Sequence, residues 1–279
     1  MSVVLQVSDT HFGTEQPVVV EALVQLVHAQ RPDLVVLSGD ITQRARRRQF
    51  RAASVFVERL AVPKTLVLPG NHDIPLFNLV ARLVAPYANY QRVFGTVLEP
   101  EFASPDLLVI GVNTTRPWRH KDGEVAVGQI VRVCGRLRQA HTAQLRLVIT
   151  HQPVHVIRPE DERNLLHRHR EAVYAWAGAG VDLILGGHIH LPYVCPLRER
   201  FRDLPRPVWA VQAGTAVSSR VRDGVPNSVN VIRYTPAESP WHCIVERWDH
   251  DAPAQRFTLV DTTTIGLTRR DGPRGSTGP

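Results

Sequence analysis

The sequence predicts an α/β fold: one domain with helices on a largely parallel sheet and a second sheet facing the first. Three observations predict it. Short β-branched runs alternate with amphipathic stretches from the first residues, so the chain opens as βαβαβ. Its last third becomes strand-rich with little helix. Finally, 279 residues, 43% hydrophobic and 21% charged, are enough for one large core of ordinary globular composition.

The elements follow in order. Val3 to Ser8 reads as a buried strand. Val18 to Ala29 repeats apolar residues at helical spacing through Val20, Leu23, Val24 and Val27. Leu34 to Leu37 is a strand, Gln49 to Leu60 a helix and Thr65 to Leu68 a third strand. Leu107 to Val112 and Leu145 to Ile149 are buried strands with a helix around Ile130 to Ala140 between them. Arg170 to Ala179 is helical and Asp182 to Leu185 extended. Pro207 to Gln212, Ser228 to Tyr234 and His242 to Trp248 then read as successive strands, expected to form the second sheet. The domain is expected to span 1–268. The tail 269–279, RRDGPRGSTGP, is almost devoid of apolar residues and is expected to be disordered.

Composition narrows the function classes. No apolar run approaches the roughly 20 residues of a membrane span. The start, Met1-Ser2-Val3-Val4, lacks the basic and cleavage segments of a signal peptide. Cys134, Cys195 and Cys243 are far apart and form neither a disulfide framework nor a CxxC site. A cytoplasmic location is expected. Net charge is +7, almost all of it from Arg. That suits phosphorylated partners; nucleic acid is possible but not favoured, because a solvated Arg-rich surface gives the same balance.

Polar clusters stand at five strand ends: Ser8-Asp9-Thr10-His11, Ser38-Gly39-Asp40, Pro69-Gly70-Asn71-His72-Asp73, Thr150-His151-Gln152-Pro153 and Gly186-Gly187-His188-Ile189-His190. Ligands in open α/β sheets collect at the carboxyl ends of parallel strands, so the five can converge on one site. Asp9, His11, Asp40, Asn71, His151, His188 and His190 offer two carboxylates, one amide oxygen and four imidazoles. Such mixed donors exceed the need of one ion. They suit two borderline transition ions such as Mn, Fe or Zn, with a carboxylate shared between them. Asp9-x-His11 and His188-x-His190 are expected to be extended, so that alternate residues face the ions together. Turns and surface positions explain any one of these clusters alone, but not five in succession.

The series DTH, GD, GNHD, HQP and GHIH resembles the calcineurin-like metallophosphoesterase superfamily over roughly residues 3 to 235. The layout is most similar to the bacterial branch grouped with class III cyclic-nucleotide phosphodiesterases. The motifs together are specific for the superfamily and weakly specific for substrate. One position departs. Many members carry an acidic residue or Asn three positions after the Gly-Asp aspartate, where this chain has Gln43, so a contact near the ligands is expected to differ.

The resemblance implies a two-sheet αββα sandwich and a dinuclear phosphohydrolase acting on a small phosphorylated substrate. One ion would be held by Asp9, His11, Asp40 and His190, the other by Asp40, Asn71, His151 and His188, with Asp40 bridging. His72 would protonate the leaving alkoxide, with Asp73 holding its ring or its charge, unless Asp73 is a turn cap. In the loop Asn113 to Gly123, Arg116, Arg119 and Lys121 could grip a phosphate and Trp118 could stack on a base, although an ordinary basic loop reads the same way. The implied activity is hydrolysis of a phosphodiester such as a cyclic nucleotide. The alternatives are a nuclease or a hydrolase of nucleotide or lipid-linked pyrophosphate; a lipid substrate would call for an apolar lip, and no apolar stripe shows in the sequence. A non-catalytic scaffold, as in the retromer subunit of this superfamily, is opposed by the complete ligand set and His72.

Overall fold

The computed structural model describes residues 1–268 apart from Asp223 and Ser239, so the expected tail, 269–279, lies outside the described residues. Strands are β1 (Ser2–Val7), β2 (Leu34–Ser38), β3 (Thr65–Leu68), β4 (Glu101–Ala103), β5 (Leu107–Gly111), β6 (Leu145–Ile149), β7 (Leu183–Gly186), β8 (Tyr193–Pro196), β9 (Trp209–Gln212), β10 (Ser228–Tyr234), β11 (His242–Asp251) and β12 (Arg256–Gly266). Helices are α1 (Pro17–Gln30), α2 (Arg47–Leu60), α3 (Leu79–Val84), α4 (Ala88–Phe94), α5 (Val127–Arg138) and α6 (His169–Ala179).

Two six-stranded mixed sheets form, in the orders β12-β11-β10-β1-β2-β3 and β4-β5-β6-β7-β9-β8. Helices flank the pair, giving the expected two-sheet sandwich. The partition between sheets differs from the expectation. Of the three strands expected to form the second sheet, only β9 lies in it; β10 pairs antiparallel with β1, and β11 and β12 extend that first sheet. The second sheet comes mostly from the middle of the chain. The reason lies in the connections. β1-β2-β3 and β5-β6-β7 are parallel runs, each needing its own helices over one face. The hairpin-linked β10 to β12 bring no helices and complete the open edge beside β1.

Strand alternation sorts side chains into three layers. Val3, Leu5 and Val7 of β1, with Val35 and Leu37 of β2, pack under α1 and α2. Val4, Leu34 and Val36 point the other way and meet Leu145, Leu147 and Ile149 of β6 and Leu183 and Leu185 of β7 between the sheets. Val148 and Ile184 face α5 and α6 with Trp176. Both faces of each central strand are therefore buried, which is why these strands read as unbroken apolar runs. Leu147 has no exposed surface; truncating it to Ala costs about 2–5 kcal/mol. The apolar layer gives way at the carboxyl ends of the parallel strands. There Gln6 reaches across from the first sheet to the Gly186 carbonyl of the second at 2.9 Å, and the polar centre begins.

Candidate metal centre

The candidate donors leave their strands through bent backbone. Asp9 (φ 52°), His11 (φ 41°), Asp40 (φ 48°), His188 (φ 74°) and His190 (φ 56°) are all left-handed. Non-glycine residues seldom adopt this region, at a cost of order 1–3 kcal/mol each. The expectation that Asp9-x-His11 and His188-x-His190 are extended is thereby corrected. Each pair converges because both members turn left-handed just past a strand end, and residue spacing alone cannot distinguish that from extended alternation. Hydrogen bonds within and between the sheets hold the bends. The Asp9 carboxylate accepts from the His188 main-chain N–H at 2.9 Å and from Ser8 Oγ at 2.6 Å, and Asp40 Oδ1 accepts from the His72 N–H at 2.8 Å. Two glycines permit this closeness. A Cβ at Gly70 would stand 2.0 Å from the Asp40 nitrogen, and one at Gly187 would stand 2.0 Å from Ser8 Oγ.

The seven candidate donors come together in two adjoining groups. In the first, His11 Nε2 lies 3.0 Å from His190 Nε2, and His190 Nε2 lies 3.3 Å from Asp9 Oδ1. In the second, His151 Nε2 lies 3.2 Å from Asp40 Oδ1 and 3.2 Å from Asn71 Oδ1, while His188 joins Asp40 and His151 with donor atoms mutually within 4.8 Å. Asp40 links the groups, its Oδ2 being 3.7 Å from His11 Nε2. Apart from the half-buried Asn71 and His188, the donors are buried.

Two rings are aimed by their far nitrogens. His151 Nδ1 contacts the Ser38 carbonyl at 2.9 Å and His190 Nδ1 contacts the Arg220 carbonyl at 2.7 Å. A carbonyl only accepts, so each Nδ1 carries the proton and each Nε2 is directed inward. Charge follows geometry. Burial works to lower the His151 imidazole, but the facing Asp40 carboxylate overrides it and the ring is pushed up to about 9. Burial, joined by the charge of His151, pushes His188 down to about 3. Burial would raise the Asp9 carboxyl, but His190 beside it holds it well below the usual carboxylate range.

This donor set fits a pair of cations. Paired imidazole nitrogens and carboxylates crowd within hydrogen-bond distance, where the repulsion of lone pairs needs protons or metal ions between them. The buried Nδ1 of His188 also finds no hydrogen-bond partner among the described residues. Mixed nitrogen and oxygen donors are those of borderline transition ions.

The remaining expected site residues divide. His72 faces the same cavity, its Nε2 4.0 Å from Asp40 Oδ2. Its Nδ1 is held by the Gln43 main-chain carbonyl at 2.9 Å, so the ring's partner is Gln43 where Asp73 was expected. Asp73 instead accepts from the N–H groups of Ile41 (3.0 Å), Thr42 (2.8 Å) and Gly70 (2.8 Å) and from Thr42 Oγ1 (2.8 Å). It clasps the turn after β2 to the turn after β3. Burial and the charge of Asp40 push its carboxyl up to about 6.

Of the four loop residues, only Lys121 lines the cavity. Arg116 donates to the Asn113 carbonyl at 3.0 Å, the Thr115 carbonyl at 2.8 Å and Gln129 Oε1 at 2.7 Å. Arg119 pairs with Glu124 at 2.9 Å. Trp118 is exposed on the rim and stacks on nothing in the cavity. The long loop folds on itself: Arg116 donates to its carbonyls and Arg119 pairs with the Glu124 carboxylate.

Arg220 was not anticipated. One of its guanidinium nitrogens lies 3.2 Å from His72 Nε2 and 3.1 Å from Gln43 Oε1. It belongs to an irregular segment after β9, and no motif surrounds it.

The family model for the calcineurin-like phosphoesterases matches residues 2–192. No curated protein matches the chain. Among solved structures, a purple acid phosphatase from yellow lupin (Lupinus luteus) seeds superposes with a TM-score of 0.72 at 13% identity, covering 95% of this chain and 53% of that one. The chain thus spans about half the length of that plant protein. A dimetal phosphatase from Danio rerio gives a TM-score of 0.65 at 14% identity over 96% of this chain and 99% of its own. Vps29 from Chaetomium thermophilum gives 0.51 at 9% identity over 96% of this chain and 100% of its own. At these identities the likeness is one of fold, and the family rests on the sequence match. With more than half its length matched by that model, the chain belongs to the calcineurin-like phosphoesterases, a family of metal-dependent phosphoester hydrolases.

Proposed function

We propose that the protein is a dinuclear-metal phosphodiesterase. The observation that carries this is the shape around the centre. A cavity of about 250 Å³ over Asp40, Asn71 and His72 meets a second of about 580 Å³, and both are lined by Asn164, His188, His190 and Arg220. A phosphate seated at the junction has room for a substituent on each side, as a diester requires and a monoester does not.

Asp9, His11, Asp40 and His190 would hold one ion, and Asp40, Asn71, His151 and His188 the other; Mn, Fe and Zn all suit these donors. When bound, the ions supply Lewis acidity to the phosphoryl oxygens and lower the pKa of water. The chain's own residues do the rest. Arg220 draws a phosphoryl oxygen toward the junction with a guanidinium that donates to Gln43 and His72 here. His72 is steered by the Gln43 carbonyl at Nδ1, and its Nε2, which accepts from Arg220 here, is freed to take up a proton once that guanidinium turns to the phosphoryl oxygen. As water gives up one proton to solvent and adds to phosphorus, the opposite P–O bond breaks and the His72 proton passes to the departing ester oxygen. Asp73 keeps the two turns in register and is a positioning residue.

Cyclic nucleotides are the small diesters to which the family resemblance points. No Phe, Tyr or Trp lines either cavity among the described residues, so stacking on a base has no platform there. Extended nucleic acid is disfavoured on the same ground. The scaffold reading is opposed by seven donors gathered at one place. Cys134, Cys195 and Cys243 are all buried, and a cytoplasmic location is part of the proposal. No helix among the described residues is long and apolar enough to cross a membrane.

The test is turnover with Mn²⁺ on bis-p-nitrophenyl phosphate, p-nitrophenyl phosphate, cyclic nucleotides and single-stranded DNA. Diesters are expected to exceed the monoester in kcat/KM by tenfold or more, on the order of one lost substituent contact. A monoester preferred to every diester contradicts the proposal.

A further inference from the structure

The rim of the smaller cavity is apolar on its outer side. Leu76 and Ile74 line the cavity wall. The chain then emerges as Phe77 and α3, where Phe77 is 80% exposed, Leu79 66%, Val80 73%, Leu83 71% and Val84 79%. A six-residue helix presenting this much apolar surface to water is not explained by the core, since its one fully engaged side chain is Arg82. Arg82 donates to the carbonyls of Pro117 at 2.5 Å and Arg119 at 2.6 Å, which buckles α3 to the loop that carries exposed Trp118. The result is one contiguous lip with an aromatic residue on each side. Contiguous exposed apolar surface of this kind marks a docking site.

Charge identifies the occupant. Three segments meet at the lip: 41–57, 74–98 and 114–121. They are tied together by the Arg44 guanidinium 5.3 Å over the Phe77 ring, by Asn89 donating to the Ala45 carbonyl at 2.9 Å, and by Arg82. None of the three segments contains an Asp or a Glu. Arg44, Arg46, Arg47, Arg48 and Lys121 are all exposed on them. Apolar and aromatic side chains ringed by cations are the chemistry of an interfacial element that enters the headgroup region of an anionic bilayer. A second copy of the chain is a poorer occupant. It would set these unbalanced cations against their own copies and would cover the mouth of the cavity.

We propose that this lip docks the protein on an anionic lipid surface through α3, and that the phosphodiester it cleaves is carried on acyl chains that lie along Leu76 and Phe77. The substrate class rests on the diester reading above; the docking does not. The polar second cavity, with Arg163 and Asn164, is then left for the headgroup side of the ester.

The test compares the wild type with the triple variant Leu79→Ser, Leu83→Ser, Val84→Ser. All three side chains are exposed and none lines a cavity, so the fold and the turnover of ethyl p-nitrophenyl phosphate are expected to be unchanged. The full chain is floated with vesicles of phosphatidylcholine alone and with vesicles containing phosphatidylglycerol. The wild type is expected to partition onto the anionic vesicles, at least tenfold more than onto the neutral ones, and the variant to lose about tenfold or more. Hexadecyl p-nitrophenyl phosphate in those vesicles should be cleaved with a kcat/KM at least tenfold above that of the ethyl ester by the wild type only. Absence of wild-type binding to anionic vesicles overturns the proposal, as does equal binding by the variant. A variant that turns a wild-type dimer into a monomer without changing vesicle binding assigns the lip to a second copy instead. If vesicle binding behaves as expected but neither ester is cleaved, the diester reading fails and the docking stands. If the ethyl ester is cleaved without preference for the hexadecyl ester, the lipid-borne substrate is refuted and the diester reading survives.

Discussion

At the candidate metal centre, seven potential donors stand just past the ends of parallel strands from both sheets, and five of them take a backbone conformation that costs energy. At the rim above it, Phe77, α3 and Trp118 sit on irregular or short segments with no strand beneath them and leave large apolar side chains in water. Both regions depart from what a stable fold prefers, and they do so differently. The centre holds strained backbone and crowded charge in place by hydrogen bonds within and between the sheets. The rim tolerates apolar exposure that an internal partner would remove. On the readings proposed above, the unfavourable feature in each lies where a ligand would supply what is missing: cations at the centre, an apolar phase at the rim.

Breaking the centre should have the largest effect. Asp40→Ala removes the one carboxylate common to both donor groups. Activity should fall by more than about 10³-fold, further than for any other single donor, with metal content dropping at both positions. Near-wild-type turnover with two ions per chain would disprove the shared role.

His72→Ala sharpens the comparison within the centre. It should keep both ions, lose on the order of 10²-fold or more with an alkyl ester and lose much less with a p-nitrophenyl ester, whose leaving group needs no proton. Equal losses on both esters would make His72 a residue that positions the phosphoryl group.

The difference between centre and rim also explains what could be read from the sequence. Asp9, His11, Asp40, Asn71, His151, His188 and His190 were legible because strands announce themselves by apolar runs, and strand ends in α/β folds gather chemistry. The left-handed backbone of Asp9 and His11 was not, since side-chain identity carries little information about φ at a non-glycine residue. Asp73 was misplaced beside His72 because adjacency in sequence suggested it, whereas a 3₁₀ turn over Asn71–Asp73 sends the two side chains apart. β12 escaped notice because it is an edge strand with much of its surface exposed and little apolar pattern. Arg220 and the lip could not be found at all. Their meaning depends on which distant segments the fold brings together, as Arg82 does for α3 and the 117–119 turn.

Asp73→Asn should act through stability more than chemistry. Its carboxylate serves four donors, and an amide would turn N–H groups toward some of them. A loss of about 1–3 kcal/mol is expected, corresponding to a fall in Tm of roughly 2–10 °C, with kcat reduced only as far as the turns shift. An unchanged Tm would show that the clasp is not needed.

The smallest effects should come from the loop, and they should differ in kind. Lys121→Ala, on the cavity wall, should raise KM about three- to tenfold and leave kcat nearly intact, because it removes binding shared by ground and transition states. Arg116→Ala, bonded to its own loop, should change both by less than about twofold while lowering Tm slightly. The reverse order would mean that the loop rearranges on binding and that the rim is not as the apo geometry has it.

The central claim is that the five strand ends build one two-ion site, and elemental analysis of the purified chain after saturation with Mn²⁺ and removal of unbound metal tests it most directly. Two ions per chain are predicted. One ion or none per chain would contradict it.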